Sequence, residues 1–191
     1  MSQVKVKRRI PSPKDLAQLL RFRKIILSPR KRRLTRALTI YDLRDIAKRR
    51  TPQAPFDYTD GGADTESSLT RARAAYEKLE FQPKILLNVK DVDLSVQMLG
   101  KKMSMPLGIA PTGFTRMMQT EGEYAGACAA ADAGIPYTLS TMGTRSIEDV
   151  AKAAPTGRNW FQLYMWKDRD RSMALVDRAK AAGFDTLVLT V

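Results

Sequence analysis

From Pro106 onward the chain repeats one unit: a short apolar stretch, a polar or small residue at its end, then a helix-forming stretch. PLGIAPTG (106–113), GIPYTLST (134–141), NWFQLYMW (159–166) and DTLVLTV (185–191) are the apolar members. Between them lie EGEYAGACAAADAG, SIEDVAKAAP and DRDRSMALVDRAKAAG. Gly134 and Gly183 suit left-handed helix ends, and Ser146 suits an N-cap with Glu148 and Asp149 in the first turn. Strands that alternate with helices at this spacing form a parallel sheet joined by crossover helices. Such a sheet is covered on both faces. The fourth stretch is followed by no helix, so the repeat predicts the first half of a larger β/α enzyme.

Two architectures use this repeat: an open doubly wound sheet and an eight-stranded β/α barrel. The doubly wound sheet lacks its main support, because no G-x-G-x-x-G follows the first strand. The barrel is favoured by the residues at the strand ends. Thr112, Ser140, Thr141, Gln162, Tyr164 and Thr190 all fall toward C-terminal ends, where barrel enzymes keep their chemistry. The expected fold is therefore α/β, a parallel β/α barrel of the TIM type truncated after its fourth strand, with an N-terminal helical segment. Three regions are expected: a basic arm at 1–37, helices and lead-in strands at 38–105, and the half-barrel at 106–191.

Ahead of the repeat, Thr39 opens a helix IYDLRDIAKRR with Asp42 placed for a capping box, ending at Thr51-Pro52. Gly61-Gly62 interrupts the next segment. A further helix is predicted from about Glu66 to Leu79, with Leu69, Ala72, Tyr76 and Leu79 at helical spacing. FQPKILL and LSVQMLGKKMSM read as short strands or extended segments.

Charge is distributed unevenly. Residues 1–50 carry 17 Lys/Arg against 3 Asp/Glu, and the rest of the chain carries 16 against 17. Within the arm, Ser12 to Leu27 reads as a basic amphipathic helix capped by Ser12, with Pro13 at its first position. Leu16, Leu19, Leu20, Ile26 and Leu27 lie to one side, Arg21 and Lys24 to the other. The arm is open to three readings: packing on a neighbouring subunit, an anionic membrane surface, or nucleic acid. No RNA- or DNA-binding motif supports the last, and no nucleic-acid partner is expected. No apolar run has the length of a signal peptide's core or of a membrane span. The single cysteine, Cys128, is expected as a small buried filler, and one cysteine makes no internal disulfide, in keeping with a reducing cytoplasm.

The chain contains no histidine. No His/Cys spacing of a metal site, no nucleophile elbow and no P-loop occurs, so self-contained zinc, serine-hydrolase or NTPase chemistry is not expected. What remains is a set of neutral hydrogen-bonding groups at strand ends, suited to a polar heterocycle that is bound rather than attacked. Gln162 both donates and accepts, as do the hydroxyls of Ser140 and Thr190. Gly113 removes a side chain where a flat ring could approach the backbone. Taken singly, each is also an ordinary cap or strand-end polar group, and spacing does not identify the ligand.

FDYTDGGAD, SMPLGIAPTG, EGEYAGACAAADAGIPYTLST, WFQLYMWKDRD and AGFDTLVLTV, in this order, resemble the FMN-dependent α-hydroxy-acid oxidising family. That family includes glycolate oxidase, lactate oxidase and the respiratory L-lactate dehydrogenases. The resemblance runs from about Leu38 to Val191, leaves the arm outside, and is nearest to the bacterial L-lactate dehydrogenases. It implies an eight-stranded barrel with FMN at the C-terminal strand ends. It further implies that Tyr58 bonds the substrate carboxylate and that Tyr164 lies beside the substrate. Pro111, Thr112 and Gly113 would lie along the flavin, with Ser140, Gln162 and Thr190 around its ring.

The same resemblance places the family's catalytic histidine, a carboxylate-binding arginine and a lysine beside the flavin in the second half of the barrel. No catalytic residue is therefore expected in this chain, and the base is expected beyond Val191. Met142 occupies a place that carries tryptophan in the glycolate oxidases, which with Gly113 favours L-lactate as the 2-hydroxy acid. The expected activity is oxidation of L-lactate to pyruvate, absent from these 191 residues alone. A different family member, or a non-catalytic piece tethered by its arm, is the alternative. Expected partners are the small 2-hydroxy acid, further copies of the chain in the complete enzyme, an anionic membrane surface and a quinone acceptor. The expected place is the cytoplasm, peripheral on the inner face of the cell membrane.

Overall fold

The computed structural model describes residues 25–191. The predicted helix from Ser12 lies outside the described residues up to position 24. At its far end, residues 25–28 are not helical. A short helix, α1 (Pro29–Leu34), begins instead, with Ser28 accepting from Lys31 N at 3.4 Å and Pro29 in its first turn. Proline there is already set to a helical φ and its missing N–H costs nothing. The second helix, α2 (Ile40–Lys48), starts as expected: Thr39 accepts from Asp42 N, and Asp42 accepts from Thr39 N at 2.9 Å. Both helices belong to a unit that ends at Arg49; Arg50–Val191 forms another.

The second unit opens with α3 (Gln53–Asp60) and α4 (Ser67–Glu77). Phe56 is buried on α3, whereas the stripe expected on α4 stays open, with Tyr76 and Leu79 both exposed. FQPKILL forms no strand. Phe81, Ile85, Leu86 and Leu87 are exposed, so no apolar neighbour rewards an extended pairing there. A hairpin comes next, β1 (Val96–Met98) with β2 (Lys101–Met103), paired antiparallel from Val96↔Met103 to Met98↔Lys101.

The sheet that defines the unit is parallel: β3 (Pro136–Ser140), β4 (Arg158–Tyr164) and β5 (Thr186–Thr190), in that order. Register runs Pro136↔Arg158 to Ser140↔Gln162 and Trp160↔Thr186 to Tyr164↔Thr190. The crossover helices are α5 (Glu123–Ala133), α6 (Ile147–Ala153) and α7 (Arg169–Ala181). Gly134 ends α5 at φ 67 and accepts the chain reversal that a Cβ would resist. Ser146 caps α6 through Asp149 N at 3.1 Å, and Asp168 caps α7 through Arg171 N at 3.2 Å.

Side chains alternate across each strand. Tyr137, Leu139, Phe161 and Leu163 point to one face and pack with Ala127 and Ala130 of α5, Ile147 and Val150 of α6, and Ala179 of α7. Burying each large apolar side chain contributes about 1.5–3 kcal/mol. All three helices cover this one face. A doubly wound sheet carries helices on both faces, whereas a barrel keeps its helices outside and its other face inside. Thr138, Ser140, Trp160, Gln162 and Tyr164 occupy the inner face.

The first predicted strand, 106–113, is reduced to a single bridge. Ile109 N donates to Pro136 O at 2.9 Å and Thr138 N donates to Ile109 O at 3.0 Å. Its position beside β3 is that of a first barrel strand. Pro106 and Pro111 have no N–H to donate, so the ladder does not extend. Cys128 corrects a second expectation. It is exposed on α5, with Sγ donating to Ala153 O at 3.3 Å, and its neighbour Ala127 is the buried residue.

Candidate active site

The C-terminal ends of β3, β4 and β5 bring three predicted residues together. Gln162 is 1% exposed. Its Oε1 accepts from Ser140 Oγ at 3.1 Å and from Thr141 N at 3.2 Å, and its Nε2 donates to Thr190 Oγ1 at 2.8 Å. One side chain thus ties three adjacent strands. With both Oε1 contacts supplied by the protein, the amide is oriented: oxygen toward β3, nitrogen toward β5. The second Nε2 hydrogen and the Thr190 hydroxyl hydrogen are left for another acceptor.

Thr141 adds a second tie. Its Oγ1 donates to Gln162 O at 2.6 Å and accepts from Tyr164 N at 3.0 Å. Tyr164 follows Gln162 by two residues on the same face, pairs with Thr190 across β5, and keeps its side chain 44% exposed. Its backbone is held while its phenol is open at the strand end. Met142 N donates to Ser140 Oγ at 3.1 Å, and Phe114 N donates to Met142 O at 3.1 Å. The turn after β3 is therefore joined to the segment after the first strand.

That junction gives Gly113 a reason the sequence does not show. A Cβ on Gly113 would lie 2.9 Å from Met142 Cβ and 3.4 Å from Met142 O. The missing side chain makes room for the turn after β3. Pro111 is half-buried and Thr112 exposed beside it. Tyr58 is not drawn to the strand ends by any hydrogen bond among the described residues. It stands 68% exposed on α3, where Phe56 supplies the packing. A cavity of about 130 Å³ lined by Phe161, Val176, Ala179, Phe184 and Leu187 opens on the helix side of the sheet, away from these groups.

Glu123 is a residue that sequence reasoning misses. It is the first residue of α5 and is fully buried. Its carboxylate accepts from Thr144 N and from Thr144 Oγ1, at 2.9 and 2.8 Å to its two oxygens. Burial works to raise its pKa, but the bonds from Thr144 and from the helix's own first N–H outweigh it and hold the carboxyl below its ordinary value. Its charge also depresses ionisation of Tyr137, whose burial already raises the phenol's pKa. An acidic residue at a helix start reads in a sequence as ordinary dipole compensation; nothing there signals burial.

Among the described residues no cluster of His, Cys, Asp or Glu could hold a metal ion. The donor set fits a flat heterocycle carrying several acceptors: an oriented amide N–H, the Thr190 hydroxyl and a phenol at adjoining strand ends. The matching family is the FMN-dependent dehydrogenases, over residues 47–191. The chain belongs to this family. A relative from Mycobacterium tuberculosis named "Putative L-lactate dehydrogenase" is 60% identical over 97% of this chain and 45% of its own length. Glycolate oxidase 1 of Zea mays is 43% identical over 80% of this chain and 41% of its own. A crystal structure of mandelate oxidase with 3,3-difluoro-2-hydroxy-3-phenylpropionic acid superimposes with a TM-score of 0.75 at 39% identity. It is covered to 46%, using 81% of this chain. The chain spans about half the length of the proteins it matches. The family assignment agrees with the α/β architecture and with helices on one face of the sheet.

Proposed function

We propose that this chain supplies the ring-binding and substrate-facing side of an FMN-dependent enzyme that oxidises an L-2-hydroxy acid, L-lactate before others. The observation that carries this is the hydrogen-bonded run Ser140–Gln162–Thr190 across three strand ends. When bound, FMN supplies the redox chemistry, accepting two electrons from the substrate carbon. Gln162, locked through its oxygen, presents an N–H to an acceptor on the ring edge. Pro111, Thr112 and Gly113 lie along the ring. Tyr164 donates its phenol hydrogen to the substrate, and Tyr58 serves the carboxylate. The hydroxyl proton needs a general base, and with no histidine among its residues this chain does not provide the family's one. The 191 residues alone are therefore inactive. Met142, half-exposed at the mouth of the turn, leaves room for the methyl group of lactate without an aromatic wall.

The chemistry at the strand ends is shared by lactate, glycolate and mandelate, so the test is a comparison. Purified enzyme containing this segment is assayed with FMN and a dye acceptor against all three acids. L-Lactate with the highest kcat/KM supports the reading, and no turnover of any 2-hydroxy acid above background sinks it.

A second reading concerns the electron acceptor. Arg30, Lys31, Arg32 and Arg36 are exposed, and α1 has no acidic residue in its first turn. Near an anionic membrane each such cation is worth up to about 1 kcal/mol, which favours a peripheral enzyme delivering electrons to quinone. No described helix is long and apolar enough to cross a membrane. Removing residues 1–37 should release the enzyme from anionic vesicles without changing dye-linked turnover. An enzyme that ignores such vesicles at low salt overturns this reading.

A further inference from the structure

Beneath the turn after β3 lies a buried carboxylate that the proposed chemistry does not use. Glu123 is fully buried, and no ion pair to it is found among the described residues. A charge in such a place is costly unless it is hydrogen-bonded. Thr144 supplies bonds from the turn through both its N–H and its hydroxyl, and Glu123's own N–H and the Thr115 side chain add to them. The turn it grips is short. Gly143 N donates to Ser140 O at 2.9 Å, and Met142 N donates to Ser140 Oγ at 3.1 Å. Ser140, Met142 and Thr144 thus form one rigid piece, with the site residues at one end and Glu123 holding the other. The space is also tight: a Cβ on Gly143 would meet Leu139 Cδ1 at 2.8 Å and Glu123 Oε1 at 3.6 Å.

The element that supplies the grip matters. Glu123 begins α5, the helix after the first strand, and Phe114 of the same connection bonds Met142 O at 3.1 Å. The loop after β3 is consequently clamped from two sides by the connection between the first strand and α5. Arg145, one residue past Thr144, lies 4.2 Å over the Tyr124 ring and donates to Thr120 O at 3.3 Å. These contacts brace the same junction from outside.

We propose that Glu123 is a positioning residue: its carboxylate, acting through Thr144, sets where Ser140 and Met142 stand against the bound ring and substrate. This rests on the proposed role of the strand ends in holding FMN and a 2-hydroxy acid. Misplacing a reacting partner by about 1 Å costs roughly 100-fold in rate, so a slack turn should act on kcat. Glu123→Gln keeps an acceptor for Thr144 N but replaces the other oxygen by a donor. Glu123→Ala removes both, Thr144→Val removes the hydroxyl alone, and Thr144→Ser restores it.

The holoenzyme carrying each variant is studied by amide hydrogen exchange, by FMN absorbance and by dye-linked kinetics with L-lactate. Expected are faster exchange at Thr144 and Met142 with unchanged exchange at Leu139, a shifted flavin spectrum, and kcat lowered about 100-fold in Glu123→Ala with a smaller change in KM. Thr144→Val should fall between, and Thr144→Ser should match wild type. Should Glu123→Ala fail to fold, Glu123→Gln and Thr144→Val carry the test. Wild-type exchange and kcat in the folded variants overturn the proposal, as does a loss that follows melting temperature and is equal for Thr144→Val and Thr144→Ser. Wild-type enzyme without turnover of any 2-hydroxy acid overturns the functional reading instead. The exchange at Thr144 still reports on the clamp in that event.

Discussion

Gln162 Nε2 donates to Thr190 Oγ1 at 2.8 Å, from β4 to β5, while Gln162 Oε1 is taken up by Ser140 and Thr141 of the β3 end. The two residues are two positions out of register, since Gln162 pairs with Val188 and Thr190 with Tyr164. The amide therefore reaches toward the open end of the strands, where a ligand would be met.

Gln162→Leu should test that bond set directly. It would leave the Ser140 hydroxyl and Thr141 N–H without their acceptor in a buried place. Leaving a buried group unpaired costs about 1–3 kcal/mol. Urea unfolding should show a loss of that size, and FMN titrated by fluorescence quenching should bind more weakly. Unchanged FMN affinity would mean that Gln162 serves the sheet and not the ring.

Tyr164→Phe should separate folding from chemistry. The phenol is open at the strand end, and only its backbone N–H is held, by Thr141. Stability should stay within about 0.5 kcal/mol of wild type, as for other surface changes. A hydrogen bond to a charged group is worth about 1.5–3 kcal/mol, so kcat/KM in the complete enzyme should drop roughly ten- to hundredfold. Kinetics equal to wild type would remove Tyr164 from the site.

Gly113→Ala is expected to destabilise through a particular atom. Its Cβ would come to 2.9 Å of Met142 Cβ, an overpacking of the kind that costs about 1–3 kcal/mol. Met142→Ala keeps that Cβ and should not relieve it, whereas Met142→Gly should. A thermal-denaturation double-mutant cycle reads the difference. Equal rescue by both would show that the strain lies elsewhere.

Acid stability should depend on Asp185. Burial tends to raise its pKa, but Lys101, Thr186 and Arg158 hydrogen-bond it and hold it below its ordinary value. Lys101 Nζ lies at 2.9 Å and Arg158 Nε at 3.0 Å. A depressed carboxylate stabilises above its unfolded pKa, and the contribution disappears as pH falls through the lower folded value. Asp185→Asn should lower stability at neutral pH and flatten its decline from about pH 4 downward. Parallel pH–stability curves for the two proteins would show that this contact contributes little.

Much of this architecture is legible in the chain. The alternation of YTLS, NWFQLY and TLVLT with capped amphipathic helices comes from local rules: period-two burial, side-chain N-caps and Gly ends. Those rules placed β3–β5 and α5–α7 and marked Ser140, Gln162 and Thr190 as strand-end polar groups. Resemblance of ordered segments named the cofactor class, which periodicity does not do. What failed were features that depend on neighbours distant in sequence. The stretch at 106–113 reads as a full strand but holds one bridge, because Pro106 and Pro111 lack the N–H donors that a longer ladder needs. Cys128 reads as buried on an Ala-rich helix, yet which side of that helix meets the sheet is decided by packing, and Ala127 took the inner place.

The sequence by itself determined β3–β5 and α5–α7, the sign and place of the charge, and the kinds of group at the strand ends, since each depends on residues within a few positions of one another. Only the tertiary structure decided that Gln162 is oriented by Ser140 and Thr141. It alone decided that Gly113 is empty for the sake of Met142 and that Glu123 is buried under Thr144. Each of these relations joins side chains far apart along the chain. They arise from close packing and from the need to satisfy every buried polar group, conditions that no local pattern encodes.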